Sequence, residues 1–259
     1  MAARLSVAII ARNEERTLPA CLDSAAFADE IVVVDHASAD RTAQVARERG
    51  ARVIETADWP GFGPQKNRAL DACTGDWILS LDADERVTPA LRAEIERTLA
   101  QPRFEVYEVP RRSTYCGRFM RHGGWYPDYV RRLFRRGAAR FSDAAVHESL
   151  VTDRMVGRLR EPLVHYSFRT MDEVIAKMNR YSSDSANALA ARGAAPGLAS
   201  AVAHGLAAFL RTYVFKLGFL DGRRGFLLAV SNAEGSYYRY VKAMLAAEAR
   251  RGAPRDDVD

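Results

Sequence analysis

The first hundred residues alternate between short apolar runs and helical patterns, and this order restricts the fold more than any other feature. The apolar runs predict strands at Leu5–Ile10, Ile31–Val34, Arg52–Glu55 and Trp77–Leu81. The helical patterns that follow them cover Thr17–Ala26, Asp40–Arg49, Pro64–Cys73 and Thr88–Ala100. Continuous apolar strands separated by helices are typical of a parallel sheet that is covered by helices on both faces. The sequence therefore predicts an α/β fold.

The rest of the chain has a strand-rich middle and a helical end. Its middle predicts strands at Phe104–Val109, Tyr129–Phe134 and Leu159–Tyr166. Helices follow, the first of them after a capping-box pattern that runs from Thr170 to Glu173. We therefore expect a catalytic domain over residues 1–168, divided into halves 1–100 and 101–168. A helical extension over 169–250 and a disordered tail over 251–259 complete the prediction.

Polar clusters follow three of the predicted strands, at Ala11–Glu14, Asp35–Asp40 and Asp82–Glu85. In open α/β sheets, ligands bind beyond the carboxyl ends of the strands, so these clusters should meet at one edge. All three contain carboxylates. The arrangement indicates a site for a ligand that bears hydroxyl groups, for a metal ion, or for both.

Two of the three clusters indicate particular chemistry. Asp82 and Asp84 are alternate residues after a buried strand, so both carboxylates can reach one point. Together with diphosphate oxygens they would suit Mg²⁺ or Mn²⁺, although an Asp-x-Asp triplet can also be a loop of solvated acids. Asp35 can accept a hydrogen bond from a ribose hydroxyl or a base N–H. Capping of the next helix would explain Ser38 or Asp40, but not Asp35.

Four ordered motifs carry a specific resemblance. They are Ser6-Val-Ala-Ile-Ile-Ala-Arg-Asn-Glu14, Val32-Val-Val-Asp35 with Ser38-Ala-Asp-Arg-Thr42, Gln65-Lys-Asn-Arg-Ala69 and Trp77-Ile-Leu-Ser-Leu-Asp-Ala-Asp-Glu85. With these motifs the chain resembles an inverting family 2 glycosyltransferase of the GT-A fold, which is a mixed, Rossmann-like sheet with helices on both faces. Three later segments are similar to those of the bacterial lipopolysaccharide-core β-glucosyltransferases. These segments are Arg131-Arg-Leu-Phe-Arg135, Val146-His-Glu148 and Phe219-Leu-Asp-Gly222.

The resemblance implies a role for each matching residue on the donor side. Asn13, Glu14 and Asp35 would hold the nucleoside, and Lys66 would lie near the nucleotide. Asp82 and Asp84 would bind the metal and the sugar diphosphate. His165, at the end of the predicted strand Leu159–Tyr166, is a candidate for a third metal ligand.

On the acceptor side, inversion requires a base that removes the proton of the attacking hydroxyl. The Glu-Asp pair that often supplies it in the family is absent here, so we choose Glu148, with Asp143 as the alternative. His147 is expected to position the acceptor or a phosphate. Trp125 and Tyr126 are expected to stack on a sugar face, unless they only pack within their loop.

Arginine is concentrated in the middle of the chain. Between Arg103 and Arg140 there are ten arginines but three acidic residues. This excess predicts an anionic partner such as a phosphorylated glycolipid, unless it is simply a solvated basic face. We do not expect nucleic acid, because no recognised nucleic-acid-binding module accompanies the arginines.

The location of the chain is predicted from its apolar segments. No secretory signal is visible, and the longest apolar stretch, Leu198–Phe215, is interrupted by His204 and Arg211. We therefore expect no transmembrane helix and a cytoplasmic protein. Apolar stripes flanked by cations also fit helices at the inner face of the cytoplasmic membrane. Packing of these helices on the catalytic domain or in a dimer is the alternative.

The residues and the resemblance together predict an inverting glycosyltransferase. The expected reaction moves glucose from UDP-glucose onto an inner-core lipopolysaccharide acceptor. One alternative keeps this donor but uses polyprenyl phosphate, an exopolysaccharide or capsule intermediate, or a protein as acceptor. Another is a protein that binds a nucleotide sugar without turnover.

Overall fold

The computed structural model describes residues 3–142, 148–250 and 252, and the chain divides into two compact units. The first unit comprises Met1–Arg112 and Pro127–Tyr166, and the second comprises Ser113–Tyr126 and Ser167–Asp259. The sequence-based division places Ser113–Tyr126 in the catalytic domain, whereas the structure groups this segment with the C-terminal helices. Apart from Gly252, the tail 251–259 lies outside the described residues.

The described residues form twelve strands and seven α-helices, together with a π-helical turn at Arg211–Phe215 and a 3₁₀ turn at Gly218–Asp221. The strands are β1 (Leu5–Ala11), β2 (Glu30–His36), β3 (Arg52–Thr56), β4 (Trp77–Asp82), β5 (Glu85–Val87), β6 (Val106–Tyr115), β7 (Arg118–Phe119), β8 (Asp128–Arg135), β9 (Arg140–Phe141), β10 (Leu150–Val151), β11 (Val156–Arg158) and β12 (Leu163–Phe168). The helices are α1 (Leu18–Ala25), α2 (Thr42–Glu48), α3 (Phe62–Ala72), α4 (Pro89–Ala100), α5 (Met171–Ala191), α6 (Leu198–Leu210) and α7 (Gly222–Arg250).

The sheet of the first unit is mixed. Strand β1 pairs in parallel with β2 and β4, and β2 pairs in parallel with β3, so the carboxyl ends of four strands share one edge. Strand β8 then pairs antiparallel with β4 and with β6. Strands β5 and β12 form another antiparallel pair, in which Glu85 lies opposite His165. The predicted mixed α/β sheet is confirmed.

Helices cover both faces of this sheet, which explains why its central strands are apolar throughout. On one face, Val7 and Ile9 of β1 pack in a cluster with residues of α1 and α4. On the other face, Ala8 of β1 packs in a cluster with Ala69 and Leu70 of α3. Because successive strand residues point to opposite faces, every position of β1 needs an apolar or hydrogen-bonded side chain.

Local sequence signals set the starts of two helices. Thr88 accepts a hydrogen bond from the backbone N–H of Leu91 at 3.1 Å, and Pro89 occupies the first helical position of α4. One half of the predicted capping box is present at the start of α5, because Thr170 accepts from the N–H of Glu173 at 3.3 Å. The Glu173 carboxylate accepts from the N–H of Arg169 at 2.7 Å and not from that of Thr170.

In the second unit, the segment Ser113–Tyr126 is held by the motif that ends at Gly222. The Asp221 carboxylate accepts from the backbone N–H of Arg121 at 3.1 Å and of His122 at 2.8 Å. It also lies 3.1 Å from Nδ1 of His122. The Phe219-Leu-Asp-Gly222 motif therefore has a structural role within this unit.

Helix α6 packs against α7 through small side chains. Ala201, Gly205 and Ala208 are buried. A Cβ atom at Gly205 would lie 3.3 Å from the carbonyl oxygen of Ala233 and from Cβ of Tyr237. Small residues on this face let the two helix backbones approach closely.

The helical stretch Leu198–Phe215 bears on the expectation that the chain has no transmembrane helix. Its 18 residues have a mean hydropathy of 1.3, and 22% of the stretch is buried in the structure. By length and composition it could cross a membrane, because His204 and Arg211 do not lower its hydropathy enough to exclude this. Core helices of soluble proteins can have the same length and composition.

Candidate functional site

The loops after β1 and β2 are joined by hydrogen bonds from side chains to the backbone. The backbone N–H of Asn13 donates to Oγ of Ser38 at 2.9 Å, and Oδ1 of Asn13 accepts from the N–H of Ala39 at 2.9 Å. The N–H of Glu14 donates to Oγ1 of Thr42 at 2.7 Å. Asn13 has a φ of 55°, a conformation that asparagine tolerates better than most residues. These bonds fix one rim of the sheet edge.

Asp35 lies at the end of β2, as the sequence predicts, and is 2% exposed. Its two carboxylate oxygens accept from the hydroxyl of Ser38 at 2.5 Å and from the backbone N–H of Ser38 at 3.1 Å. Asp35 therefore organises the β2–α2 loop in this structure. A nucleoside would have to share these oxygens with Ser38.

Lys66 joins two of the predicted carboxylates. It lies on α3, and its Nζ is 2.9 Å from Oδ1 of Asp82 and 3.2 Å from Oε1 of Glu148. The Lys66 side chain is 10% exposed, against 28% for Asp82 and 22% for Glu148. The structure thus brings together three residues that are predicted to act on the donor and on the acceptor hydroxyl.

Arg132 occupies the other side of Asp82. Its Nη2 donates to Oδ2 of Asp82 at 2.5 Å and to Oε1 of Glu85 at 2.6 Å. The side chain of Glu85 is fully buried and that of Arg132 is 6% exposed. The other oxygen of Glu85 accepts from the backbone N–H of Asp82 at 2.9 Å. Arg132 and Glu85 therefore support the carboxylate at the end of β4.

Asp82 is ionised because two cations lie beside it. Burial acts to raise the pKa of this carboxyl, but the charges of Arg132 and Lys66 outweigh it and hold the pKa well below the usual 3.8. Burial also acts to lower the pKa of Arg132, and the carboxylates of Asp82 and Glu85 raise it above the ordinary value. Both oxygens of Asp82 are thus engaged in ion pairs.

Asp84 has a different neighbour. Its Oδ2 lies 3.2 Å from Nε2 of His165, and the two side chains are 31% and 14% exposed. The pair is fixed by the backbone, since the N–H of Tyr166 donates to the carbonyl oxygen of Asp84 at 3.0 Å. Among residues 3–142, 148–250 and 252, no group of three or more His, Cys, Asp or Glu could hold a metal ion. Asp84 and His165 offer one oxygen and one nitrogen ligand, which leaves room for ligands from a substrate.

The approach of α3 to the segment that contains Glu148 depends on Gly63. A Cβ atom at Gly63 would lie 1.9 Å from the carbonyl oxygen of Ser142 and 3.6 Å from Cβ of Glu148. Any larger residue at this position would push these elements apart. Gly63 therefore keeps Lys66 within ion-pair distance of Glu148.

The structure leaves the predicted acceptor residues untested. His147 and the alternative base Asp143 lie outside the described residues. Trp125 and Tyr126 belong to the second unit, where the ring of Trp125 packs edge-on against Tyr115 with centroids 5.5 Å apart. Their roles in binding an acceptor stay predictions.

The arginine-rich middle is largely paired within the first unit. Five of the ten arginines donate to nearby carboxylates or carbonyl oxygens, namely Arg111, Arg131, Arg132, Arg136 and Arg140. A sixth, Arg135, forms an ion pair with Glu105 at 3.6 Å. The local excess of positive charge therefore overstates the number of cations that are available to an anionic partner.

Sequence analysis missed the roles of Arg132 and Glu85. The signal that could have found Arg132 is its position two residues before Phe134, on the inward side of β8, where a charged side chain needs a buried partner. Nothing local identifies that partner, because Glu85 is 47 residues away in the sequence.

Comparisons with known proteins agree with the sequence-based resemblance. Residues 6–161 match the model of the family described as Glycosyl transferase family 2. The chain is 33% identical to the lipopolysaccharide core biosynthesis glycosyltransferase LpsC of Rhizobium meliloti (strain 1021), with 98% of this chain and 96% of that protein covered. It is 29% identical to an uncharacterized glycosyltransferase of Rickettsia bellii (strain RML369-C), with 92% and 85% covered.

Among solved structures, the chain is similar to glucosyl-3-phosphoglycerate synthase from Mycobacterium tuberculosis in complex with Mn²⁺, UDP and glucosyl-3-phosphoglycerate. The sequence identity is 28% and the TM-score is 0.36, and the likeness covers 44% of this chain and 45% of that one.

Proposed function

Since the chain belongs to glycosyl transferase family 2 and is a glycosyltransferase, we propose that it transfers glucose from UDP-glucose to an inner-core lipopolysaccharide acceptor with inversion. The observation that carries the donor side is the pairing of Asp84 with His165 beside the ion-paired Asp82. The proposed acceptor is supported by the similarity to the lipopolysaccharide core biosynthesis glycosyltransferase LpsC, which extends over nearly the full length of both proteins.

The donor is proposed to lie along the edge formed by the ends of β1, β2 and β4. Asn13, Glu14 and Asp35 border the nucleoside, in loops that are already joined to each other. Lys66 can exchange its contact with Asp82 for one with a phosphate, because an ammonium group carries three donors. The ion pair with Arg132 still holds Asp82 in place when Lys66 makes this exchange.

Asp84 and His165 are the residues that fit a divalent cation. Asp82 fits less well as a direct ligand, because Lys66 and Arg132 already bind its two oxygens. An imidazole nitrogen suits first-row transition metals better than Mg²⁺, so the pair favours Mn²⁺. When bound, the ion would supply positive charge to the departing diphosphate.

Glu148 is proposed as the base that accepts the proton of the attacking acceptor hydroxyl. Its carboxylate pairs with Lys66 and is 22% exposed, so an acceptor hydroxyl can reach it from solvent. Hydroxyl attack on the anomeric carbon breaks the bond to the nucleoside diphosphate, and the hydroxyl proton passes to Glu148.

Replacing Glu148 with glutamine should lower the rate of transfer by about 10²-fold or more, because the amide cannot accept the proton. The amide oxygen can still accept from Lys66, so donor binding should be kept. Single-turnover kinetics and titration of the donor would measure the two effects separately.

Glu96→Gln is the matched control, because Glu96 lies on α4 in an exposed pair with Arg92. It should leave transfer unchanged. Near-normal transfer by Glu148→Gln would show that another group is the base.

The proposed substrates are tested by a donor screen over UDP-, GDP- and dTDP-sugars. Release of nucleotide should be greatest for UDP-glucose and should increase when a truncated heptose-containing core acceptor is present. Preference for another donor would contradict the donor assignment. Stimulation by polyprenyl phosphate, but not by the core acceptor, would contradict the acceptor assignment.

A further inference from the structure

Helix α6 has its large apolar side chains on the outside and its small ones inside. Leu198, Val202, Leu206 and Leu210 follow each other at intervals of four residues and are 55%, 54%, 59% and 40% exposed. The buried side of the same helix carries alanine and glycine. A helix in contact with water on its outer face normally shows the reverse pattern.

The exposed line continues beyond the helix. Val214 is 45% exposed and Phe215 is 77% exposed, and Leu217, Phe219 and Leu220 in the following turn are each at least 45% exposed. We call Leu198, Val202, Leu206, Leu210, Val214 and Phe215 the apolar face. Contiguous apolar surfaces of this kind mark sites of interaction.

The charged side chains within the segment that carries the apolar face have one sign. The sequence has no Asp or Glu between Asp184 and Asp221. Arg211 and Lys216 lie at the end of the apolar face that contains Phe215, and Arg223 follows shortly after; all three are exposed. Such a surface complements an anionic, apolar partner, and an anionic lipid bilayer combines both properties.

The neighbouring helix α7 indicates how deeply α6 can enter a bilayer. Asn232 and Glu234 of α7 are exposed, and α7 packs along α6. Exposed polar and charged side chains on the partner helix are costly in the hydrocarbon core, so the pair does not suit a span. It suits a position in which only the apolar face of α6 enters the lipid.

We propose that the apolar face of α6 binds the surface of an anionic bilayer, with Phe215 inserted and Arg211, Lys216 and Arg223 at the lipid phosphates. This inference stands apart from the proposed donor and acceptor. It would, however, place the enzyme where a lipid-anchored acceptor is found.

Flotation of the full chain with vesicles tests the proposal. The wild type should float with vesicles that contain phosphatidylglycerol and much less with pure phosphatidylcholine, and flotation should decrease as salt increases. Phe215→Glu and Leu206→Glu should each weaken binding by about tenfold or more, because a carboxylate in the lipid is unfavourable. Met155→Glu is the matched control: Met155 is 78% exposed in the first unit, and its variant should float like the wild type.

Three results would overturn the proposal. The first is absence of wild-type flotation at low salt, or unchanged flotation of both the Phe215 and Leu206 variants. The second is resistance of the bound protein to alkaline carbonate, which would indicate a spanning helix. The third is a wild-type dimer that both variants convert to a monomer without loss of flotation. Circular dichroism checks that the variants fold. Phe215→Glu should leave transfer to a soluble acceptor unchanged, so failure of the membrane proposal can be distinguished from failure of the donor assignment.

Discussion

Replacing Asp84 with asparagine should lower the rate of sugar transfer by about 10²–10³-fold, because it removes the carboxylate ligand of the proposed cation and with it several kcal/mol of charge stabilisation. His165→Asn should have a smaller effect and should reduce the advantage of Mn²⁺ over Mg²⁺. Titration of the metal in the presence of donor, together with initial rates, would measure both changes.

The control for this experiment is Asp71→Asn. Asp71 lies on α3 and pairs with Arg140 at the surface, so its variant changes charge equally but should keep normal rates. If Asp84→Asn showed metal-dependent turnover at the wild-type rate, neither Asp84 nor His165 would be a ligand of the proposed cation.

Replacing Arg132 with methionine should lower the free energy of unfolding by about 3 kcal/mol, because it removes the cation that donates to the buried carboxylate of Glu85 and leaves only Arg111, whose Nη1 lies 3.7 Å away. Chemical denaturation would measure this. Arg135→Met is the control, since the Arg135 side chain on the same strand is 63% exposed and its ion pair should contribute at most about 1 kcal/mol. The double variant Arg132→Met with Glu85→Gln should be more stable than the sum of the single effects implies.

The decrease in the free energy of unfolding that Arg132→Met causes should depend on pH in a definite direction. Asp82 has a lowered pKa in the folded wild type, so it contributes stability above the usual value of 3.8 and loses it as the pH falls. In Arg132→Met the Asp82 carboxyl lacks one of the cations that lower its pKa, so it takes up its proton at higher pH than in the wild type. The difference in the free energy of unfolding between Arg132→Met and the wild type should therefore become smaller as the pH falls. A difference that became larger would show that Arg132 acts mainly by packing.

Local patterns explain why most of the fold could be predicted from the sequence. Continuous apolar runs define β1, β2 and β4, and a Thr-Pro pair defines the start of α4. Each of these signals acts within one turn or one strand, so it can be read without knowledge of the rest of the chain.

The remaining features depend on contacts between distant residues. Strand β5 has three residues and exists because Glu85, Arg86 and Val87 find partners on β12. The grouping of Ser113–Tyr126 with the helices likewise depends on Asp221, about a hundred residues later. Such pairings leave no periodic signal, so the sequence could place Asp82 at a strand end but could not show which cations hold it.

The bonds between the β1–α1 and β2–α2 loops have a thermodynamic consequence. Asn13, Glu14 and Ser38 are already restrained by one another before any ligand arrives. The conformational entropy of these loops is therefore lost during folding and not again when a nucleotide is captured. Recognition at this rim is of the preorganised kind, in which little of the interaction free energy is consumed by ordering the protein.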